Sequence, residues 1–450
     1  MSALAIAGVV RAGTVSASQL AERAIGACEA DPHGAVTRVL AERARSEAAR
    51  IDALVAAGLD PGPLAGVPYG VKDLFDVAGL PTTAGSAVYS GAPPASVDAE
   101  AIRRLEAAGA VLVATLNMDE FAYGFATINA NHGTTRNPRD RARLAGGSSG
   151  GSAAIVAAGA LAFSLGSDTN GSIRVPASLC GLYGLKPAHE TLPLAGTFPF
   201  AHSFDDIGPF ATTLADLACL WEVLAGAPFA AEDAPGEIRV ARLGGRFREN
   251  ADAAQLEAID FAAPNAPLVE LPDVARARSA AFLITAYEGG RLHRDALTTS
   301  AMAFDPAVRD RLLAGALLPD ELYAHAQEWR AQFNQRLRAR LGAFDVLLAP
   351  ATPCAAPLIA DPRIEIDGAM SPARADLGIH TQPISFTGLP SLCVPLRRPG
   401  QLPLGLQIIG LPGGEARMLR YAALLEEKGL TGVTAPIAGS TFGAHVGELT

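Results

Sequence analysis

Lys72 stands among Val71, Leu74 and Phe75 in the stretch GVKDLFD, and Ser148 and Ser172 stand in glycine-rich turns, GGSSGGS and SDTNGSIR. A serine hydroxyl is a weak nucleophile at its free pKa and needs a positioned base. A lysine can be that base when an apolar setting lowers its pKa from about 10.4 toward neutrality. This lysine is conspicuous, because Lys72, Lys186 and Lys428 are the only lysines among 36 basic residues. Arginine does not give up its proton near neutral pH, so a lysine kept where arginine is the usual cation suggests a titrating role. A lone strand lysine is more commonly solvated; the scarcity argues against that reading here. Gly171 and Asn170 can present backbone N–H groups beside Ser172 as an oxyanion hole. Together these pieces make an acyl-transfer site.

Two other glycine-motif chemistries fail on context. Gly146 to Gly150 satisfies the G-x-S-x-G pattern of a hydrolase elbow, with a helix after it. An elbow serine closes a buried strand, however, and Asn137 to Arg143 upstream is charged and contains a proline. Its triad also needs an acid and a histidine, and His189, His202, His293, His325, His380 and His445 lie in no distinctive setting. No Gly-Lys-Ser/Thr ends either glycine run, which excludes a phosphate loop. A flexible linker would explain the composition of Gly146 to Ser152. Linkers are seldom fused to an apolar segment of helix length, Ala153 to Leu165, and then to a second turn, Gly166 to Ser172, with an acid and an arginine close by.

Elements that alternate between helix and strand must position these residues. Residues 3 to 58 read as helices, with Leu20, Ala24, Ile25 and Cys28 at three and four spacing. Pro63 to Asp76 reads as a strand carrying Lys72. Ser96 to Ala108 is an amphipathic helix closed by Gly109, Ala110 to Thr115 a buried strand, and Asn117 to Gly124 a helix or loop beyond it. Gly196 to Gly208 reads as a loop and Thr212 to Leu224 as a helix, and the Ala/Pro-rich Ala225 to Gly236 is the natural internal boundary. Strand candidates follow at Ile238 to Leu243, Leu268 to Leu271, Asp345 to Ala349, Leu392 to Leu396 and Gly405 to Ile409. Helices are expected at Ala253 to Phe261, from Val274 to about Leu341, and at Glu415 to Lys428. The pattern is α/β around a single large mixed β-sheet sandwiched between helices.

The totals exclude several classes. A formal net charge of −10 leaves no basic stripe for phosphates, so direct nucleic-acid binding is disfavoured. The five cysteines are odd in number and scattered, with no CxxC, and read as reduced core thiols rather than as zinc ligands or a disulfide framework. No apolar run reaches the roughly 18 residues of a membrane span, and the N-terminus lacks the basic start of a signal peptide. A cytoplasmic enzyme is expected.

The long stretch GGSSGGSAAIVAAG followed by SLGSDTNGSIRVPASLCGLYGLKP resembles the amidase signature family. The match runs upstream through PLAGVPYGVKDLFD, LNMDEFAYGF and TTRNPRD and downstream through HSFDDIGPFA, with LLAPATP and TQPISFTGLP similar to the family's C-terminal half. NMDEFAYGF, SDTNGSIRVPASLCG, ITAYEGGRLH and TQPISFTGLP look most like its carboxybiuret hydrolase branch, which acts in cyanuric acid breakdown. The resemblance implies a hydrolase that cleaves a small amide C–N bond through a serine acyl-enzyme, releasing ammonia, with no metal or organic cofactor. By the same resemblance Ser172 is the nucleophile, Ser148 a bridging serine joined by a cis peptide to Gly147, and Lys72 the base. Thr169, Asn170, Gly171 and Ser172 would hold the oxyanion, Asp168 would pair with Arg174, and Ser149 would support the network. Asn170 departs from the glycine of many family members. It either trims the pocket, adds a hydrogen-bond donor, or is there because asparagine tolerates left-handed φ.

Tyr123, His380 and Gln382 border the matched segments and are candidates for substrate contact. A single domain, 1–450, is expected, with N-terminal helices at 1–60, a signature core at 64–225 and a C-terminal half at 237–450. The partner is a small amide, with a homo-oligomer or a small accessory subunit possible in addition. The alternative the resemblance leaves open is a glutaminase subunit of a tRNA-dependent amidotransferase, which would release ammonia into a channel.

Overall fold

The computed structural model describes residues 2–228 and 237–434. Its centre is one eleven-stranded mixed sheet sandwiched between helices. In chain order the strands are β1 (Val36–Val39), β2 (Pro68–Lys72), β3 (Val111–Leu116), β4 (Phe163–Ser167), β5 (Tyr183–Lys186), β6 (Ile207–Ala211), β7 (Val240–Leu243), β8 (Leu268–Val269), β9 (Val346–Pro350), β10 (Ser391–Pro395) and β11 (Gly405–Gly410). Across the sheet they run β1-β3-β2-β4-β6-β5-β10-β11-β9-β7-β8. The central strands are buried along their whole length, as expected of strands covered on both faces.

Two pairings position the chemistry. β2 lies parallel to both β3 and β4, with Val71 opposite Leu165, so Lys72 at the end of β2 comes level with the end of β4. β5 pairs antiparallel with β10, Ser391 opposite Lys186, which carries the sheet from the first half of the chain into the second. The boundary expected at Ala225 to Gly236 falls largely on residues 229–236, outside the described residues, as do His445 and the end of the C-terminal half.

Residues 3 to 58 are not all helical. Helices Ala3–Arg11, Ala17–Glu29 and Ala41–Ala56 form, but β1 intervenes as an edge strand antiparallel to β3. Asp31 stops the second helix: its carboxylate accepts from the backbone N–H groups of His33, Ala35 and Val36 and turns the chain into the sheet. The predicted stripe Leu20, Ala24, Ile25 and Cys28 is the buried face of Ala17–Glu29.

The apolar segment Ala153 to Leu165 is likewise two elements. The helix Gly150–Ala157 ends, Gly159 turns at φ 75°, and β4 begins at Phe163. The helical region from Val274 is broken into Val274–Leu292, Arg294–Ser300, Pro306–Ala316 and Asp320–Leu341, with Pro306 opening the third piece and Pro319 preceding the last. The helix Arg174–Cys180, β5 and the hairpin Arg363–Ile366 with Ala369–Pro372 lie in segments to which the sequence pattern assigns no element.

Candidate active site

Lys72 is completely buried at the end of β2. Its Nζ donates to Ser148 Oγ at 2.7 Å and to Ser167 Oγ at 2.8 Å. Burial pushes its pKa down to about 7, although the charges of Asp119, Asp168 and Asp205 pull the other way. No carboxylate lies within ion-pair distance of this amine among the described residues. Near neutral pH it can therefore take up or release a proton.

Ser148 follows a cis Gly147–Ser148 peptide. The turn that carries it is packed too tightly for side chains: a Cβ on Gly147 would stand 2.4 Å from Asp119 Oδ2. Asp119 in turn accepts from the N–H groups of Ala126 and Thr127, and its own N–H donates to the Ser148 carbonyl. Upstream, Arg136–Asn137 and Asp140–Leu144 form a small hairpin outside the main sheet, so Ser148 does not close a central strand as an elbow serine would. None of the described histidine side chains hydrogen-bonds to a serine.

Ser149 ties the two glycine turns together. Its hydroxyl donates to the Ser167 carbonyl at 3.0 Å and accepts from the Ser167 N–H at 3.2 Å, and its N–H donates to the Ser172 carbonyl at 3.3 Å. Ser172 is 2% exposed, and its hydroxyl has no hydrogen-bond partner among the described residues. The backbone N–H groups of Thr169, Asn170, Gly171 and Ser172 also have no acceptor there. Four unpaired donors beside an unpaired hydroxyl can hold a developing oxyanion.

The loop is held in this shape from both sides. Asp168 and Arg174, both fully buried, form a two-pronged pair, Nε to Oδ2 and Nη2 to Oδ1, each at 2.9 Å. Burial pushes the Asp168 carboxyl up, and the Arg174 charge and hydrogen bonds more than offset it, holding it below its ordinary value. Arg174 continues to Gln407 Oε1, Ser385 Oγ and the Thr381 carbonyl. Gly171 has φ 136°, and a Cβ there would fall 1.9 Å from Thr381 Oγ1, so glycine is required. Asn170 has negative φ, which removes tolerance of left-handed backbone as its reason. Its Nδ2 donates to Thr285 Oγ1 at 3.0 Å, while Oδ1 is buried with no partner. Thr169 Oγ1 donates to Asp205 at 2.7 Å, and burial pushes the Asp205 carboxyl up to about 6.

A cleft of about 160 Å³ opens against this assembly, bordered by Ser167, Thr169, Ala122, Phe200, His202 and Asp205. Larger clefts, about 290 Å³ around Asp73 and Thr82 and about 520 Å³ around Pro264 and Tyr421, hold none of these groups. Tyr123 packs its ring 4.8 Å from that of Phe200, and Arg311 lies 3.6 Å over the Tyr123 ring. Arg311 also donates to the Tyr123 carbonyl and has no carboxylate partner among the described residues. His380 points elsewhere: its ring stacks near Phe247, with Nε2 3.2 Å from the Glu249 carbonyl. Gln382 is fully buried with both ends of its carboxamide unpaired among the described residues. Ser167, Asp205, Thr285, Thr381 and Arg311 are not singled out by the sequence. For Ser167 a signal exists, since a buried lysine amine with several N–H donors calls for more than one hydroxyl.

A family model described as Amidase matches residues 19–238 and 249–419. The chain is 44% identical over 446 residues to AtzE, a component of the 1-carboxybiuret hydrolase of Pseudomonas sp. (strain ADP), covering 94% of this chain and 97% of that protein. It is 38% identical over 426 residues to a subunit of the glutamyl-tRNA(Gln) amidotransferase of Roseiflexus sp. (strain RS-1), covering 84% and 86%. A solved structure of a vestigial protein complex, described as revealing the evolutionary origins of an s-triazine catabolic enzyme, superposes with a TM-score of 0.91 at 42% identity, covering 97% of this chain and 100% of that one. With that agreement across most of its length, the chain belongs to the amidase signature family and is a hydrolase of carbon–nitrogen amide bonds.

Proposed function

We propose that this amidase hydrolyses a small, anionic, urea-like amide of the carboxybiuret type through a serine acyl-enzyme. The contact that carries the reading is Lys72 with Ser148, a buried amine with a pKa near 7 held 2.7 Å from a hydroxyl. Ser172 Oγ attacks the carbonyl carbon as its proton passes to Ser148 Oγ and the Ser148 proton passes to neutral Lys72. The N–H groups from Thr169 to Ser172 take the oxyanion. As the C–N bond breaks, the leaving amine receives the proton back by the same path and departs as ammonia. Water, deprotonated by the same relay, then attacks the acyl-enzyme and frees Ser172 and the acid. Asp168, Arg174 and Ser149 position the loop and touch no substrate.

Three observations support the substrate class. The cleft is small, about 160 Å³. Arg311, a half-buried guanidinium without an ion pair among the described residues, sits on Tyr123 beside the cleft wall at Phe200, where a carboxylate would find a cation and two planar donors. Identity is higher to the carboxybiuret hydrolase relative than to the transferase relative. His380, with its ring buried against Phe247, has no part in this reading.

We place the whole chain in one domain, since the sheet runs unbroken across β5 and β10, and in the cytoplasm, in keeping with cysteines that are all unpaired. No helix among the described residues is long and apolar enough to cross a membrane. A small accessory subunit or a second copy would fit relatives that are themselves named as subunits. Ammonia release from the purified chain is the test, against carboxybiuret, biuret, allophanate, malonamate, glutamine and aliphatic amides. Release from the carboxylated ureides, lost in Arg311→Met through a KM raised about tenfold or more, is expected. Glutamine turnover only with added subunits would assign the chain to the amidotransferase class instead.

A further inference from the structure

The loop that holds the four unpaired N–H donors also contains a buried acceptor with nothing to accept. Asn170 is 7% exposed, its Nδ2 is fixed on Thr285 Oγ1, and this leaves Oδ1 without a donor among the described residues, two residues before Ser172. The segment clamped against it repeats the feature. Thr381 Oγ1 donates to the Asn170 carbonyl at 2.9 Å, and the next residue, Gln382, is 0% exposed with both carboxamide atoms unpaired. A buried carbonyl or amide left unpaired is costly, and these two, on segments joined by the Thr381 hydrogen bond, are groups that a ligand can complete. The same loop's N–H groups would hold the scissile carbonyl, and the atom attached to that carbonyl on the side away from the leaving amine is what a free acceptor on this loop can read. In an alkyl amide such as glutamine that atom is a methylene. In a ureide it is an N–H.

We propose that Asn170, oriented by Thr285 and seconded by Gln382, recognises the N–H that flanks the scissile carbonyl, and so selects ureides over alkyl amides of the same shape. This rests on the ureide reading above. Asn170 takes no proton and forms no bond in the reaction; its part is recognition. A site built to hydrogen-bond an N–H discriminates against the isostere that lacks it, because its own polar group is then left unpaired.

Biuret with malonamide, and allophanate with malonamate, are pairs that differ by N–H against CH2 at this atom. Intrinsic reactivity differs within each pair, but it cancels when the ratio of kcat/KM values in a variant is divided by that of the unaltered enzyme. Asn170→Gly is expected to lower that ratio about tenfold or more, the ureide losing more than the methylene substrate whatever the change common to both. Thr285→Val, which leaves the loop intact and frees the carboxamide to turn, is expected to lower it less, and Gln382→Met to lower ureide turnover in the same direction. Ureide turnover with an unchanged ratio in Asn170→Gly and Thr285→Val would overturn this proposal and leave the ureide reading standing. Turnover of glutamine with none of any ureide by the unaltered enzyme would overturn both.

Discussion

Lys72 and Lys186 are both completely buried at the ends of strands in the same sheet, and their partners differ. Lys186 Nζ meets the Asp206 carboxylate at 2.6 Å and the Pro187 carbonyl at 2.7 Å. Among the described residues Lys72 meets only hydroxyls, those of Ser148 and Ser167. A carboxylate compensates the desolvated ammonium and fixes the charge in place, whereas a hydroxyl leaves the cost of burial standing and can itself relay a proton. Burial alone does not make a base; the choice of partner does. One lysine holds the fold beside the loop, since Asp206 also accepts from His189 and its carbonyl takes the Asp168 N–H. The other is free to titrate.

The comparison breaks most visibly at Lys72. Lys72→Met should reduce turnover by at least about 10⁴-fold, the scale of removing the base from an acyl-transfer set. The same change should not destabilise the protein. In the unfolded chain the lysine pKa is about 10.4 and in the folded protein it is about 7, so between these values the unfolded state binds more protons and stability rises with pH. Unfolding by denaturant at pH 7 and pH 10 checks this: the folded enzyme should gain stability over that interval and the variant should gain less.

At Lys186 the signs reverse. Asp206→Ala leaves a buried ammonium without its partner, which typically costs about 3–5 kcal/mol, while replacing both residues together by Met and Leu should recover most of that loss. Equilibrium unfolding of the single and double variants reads the difference directly. A single variant as stable as the parent would mean that Lys186 is held by its carbonyl contact alone, and the contrast between the two lysines would lose its physical basis.

The sequence reveals one side of this contrast and not the other. Lys72 is legible because an apolar run around a scarce residue type needs no knowledge of the fold, and Ser148 and Ser172 because glycine density marks close packing. Lys186, in GLKP, has the same apolar surroundings, and its partner Asp206 lies twenty residues on, brought near only because β6 pairs with β5. Thr381 and Thr285 reach the loop from 211 and 115 residues away, and threonine in a helix or turn carries no mark of its partner. The strand β1 is hidden between helices whose period carries over it and β5 lies in a run with neither period; both are short, so pairing in the sheet decides them.

The finest test of the comparison is Ser167, the second hydroxyl on Lys72. It accepts a hydrogen bond from Nζ at 2.8 Å, which favours the protonated amine, and it does so more weakly than a carboxylate would. kcat/KM should fall about tenfold per pH unit below the Lys72 pKa near 7 and level off above it. Ser167→Ala removes one acceptor from the ammonium, so the folded pKa drops further and the acid limb moves to lower pH, by less than about one unit. The plateau should fall only a few-fold, because Ser148 keeps its contact with the amine. A limb that moves to higher pH would show Ser167 stabilising the neutral amine instead, as a donor to its lone pair, and would make it a competitor of Ser148 for the relay.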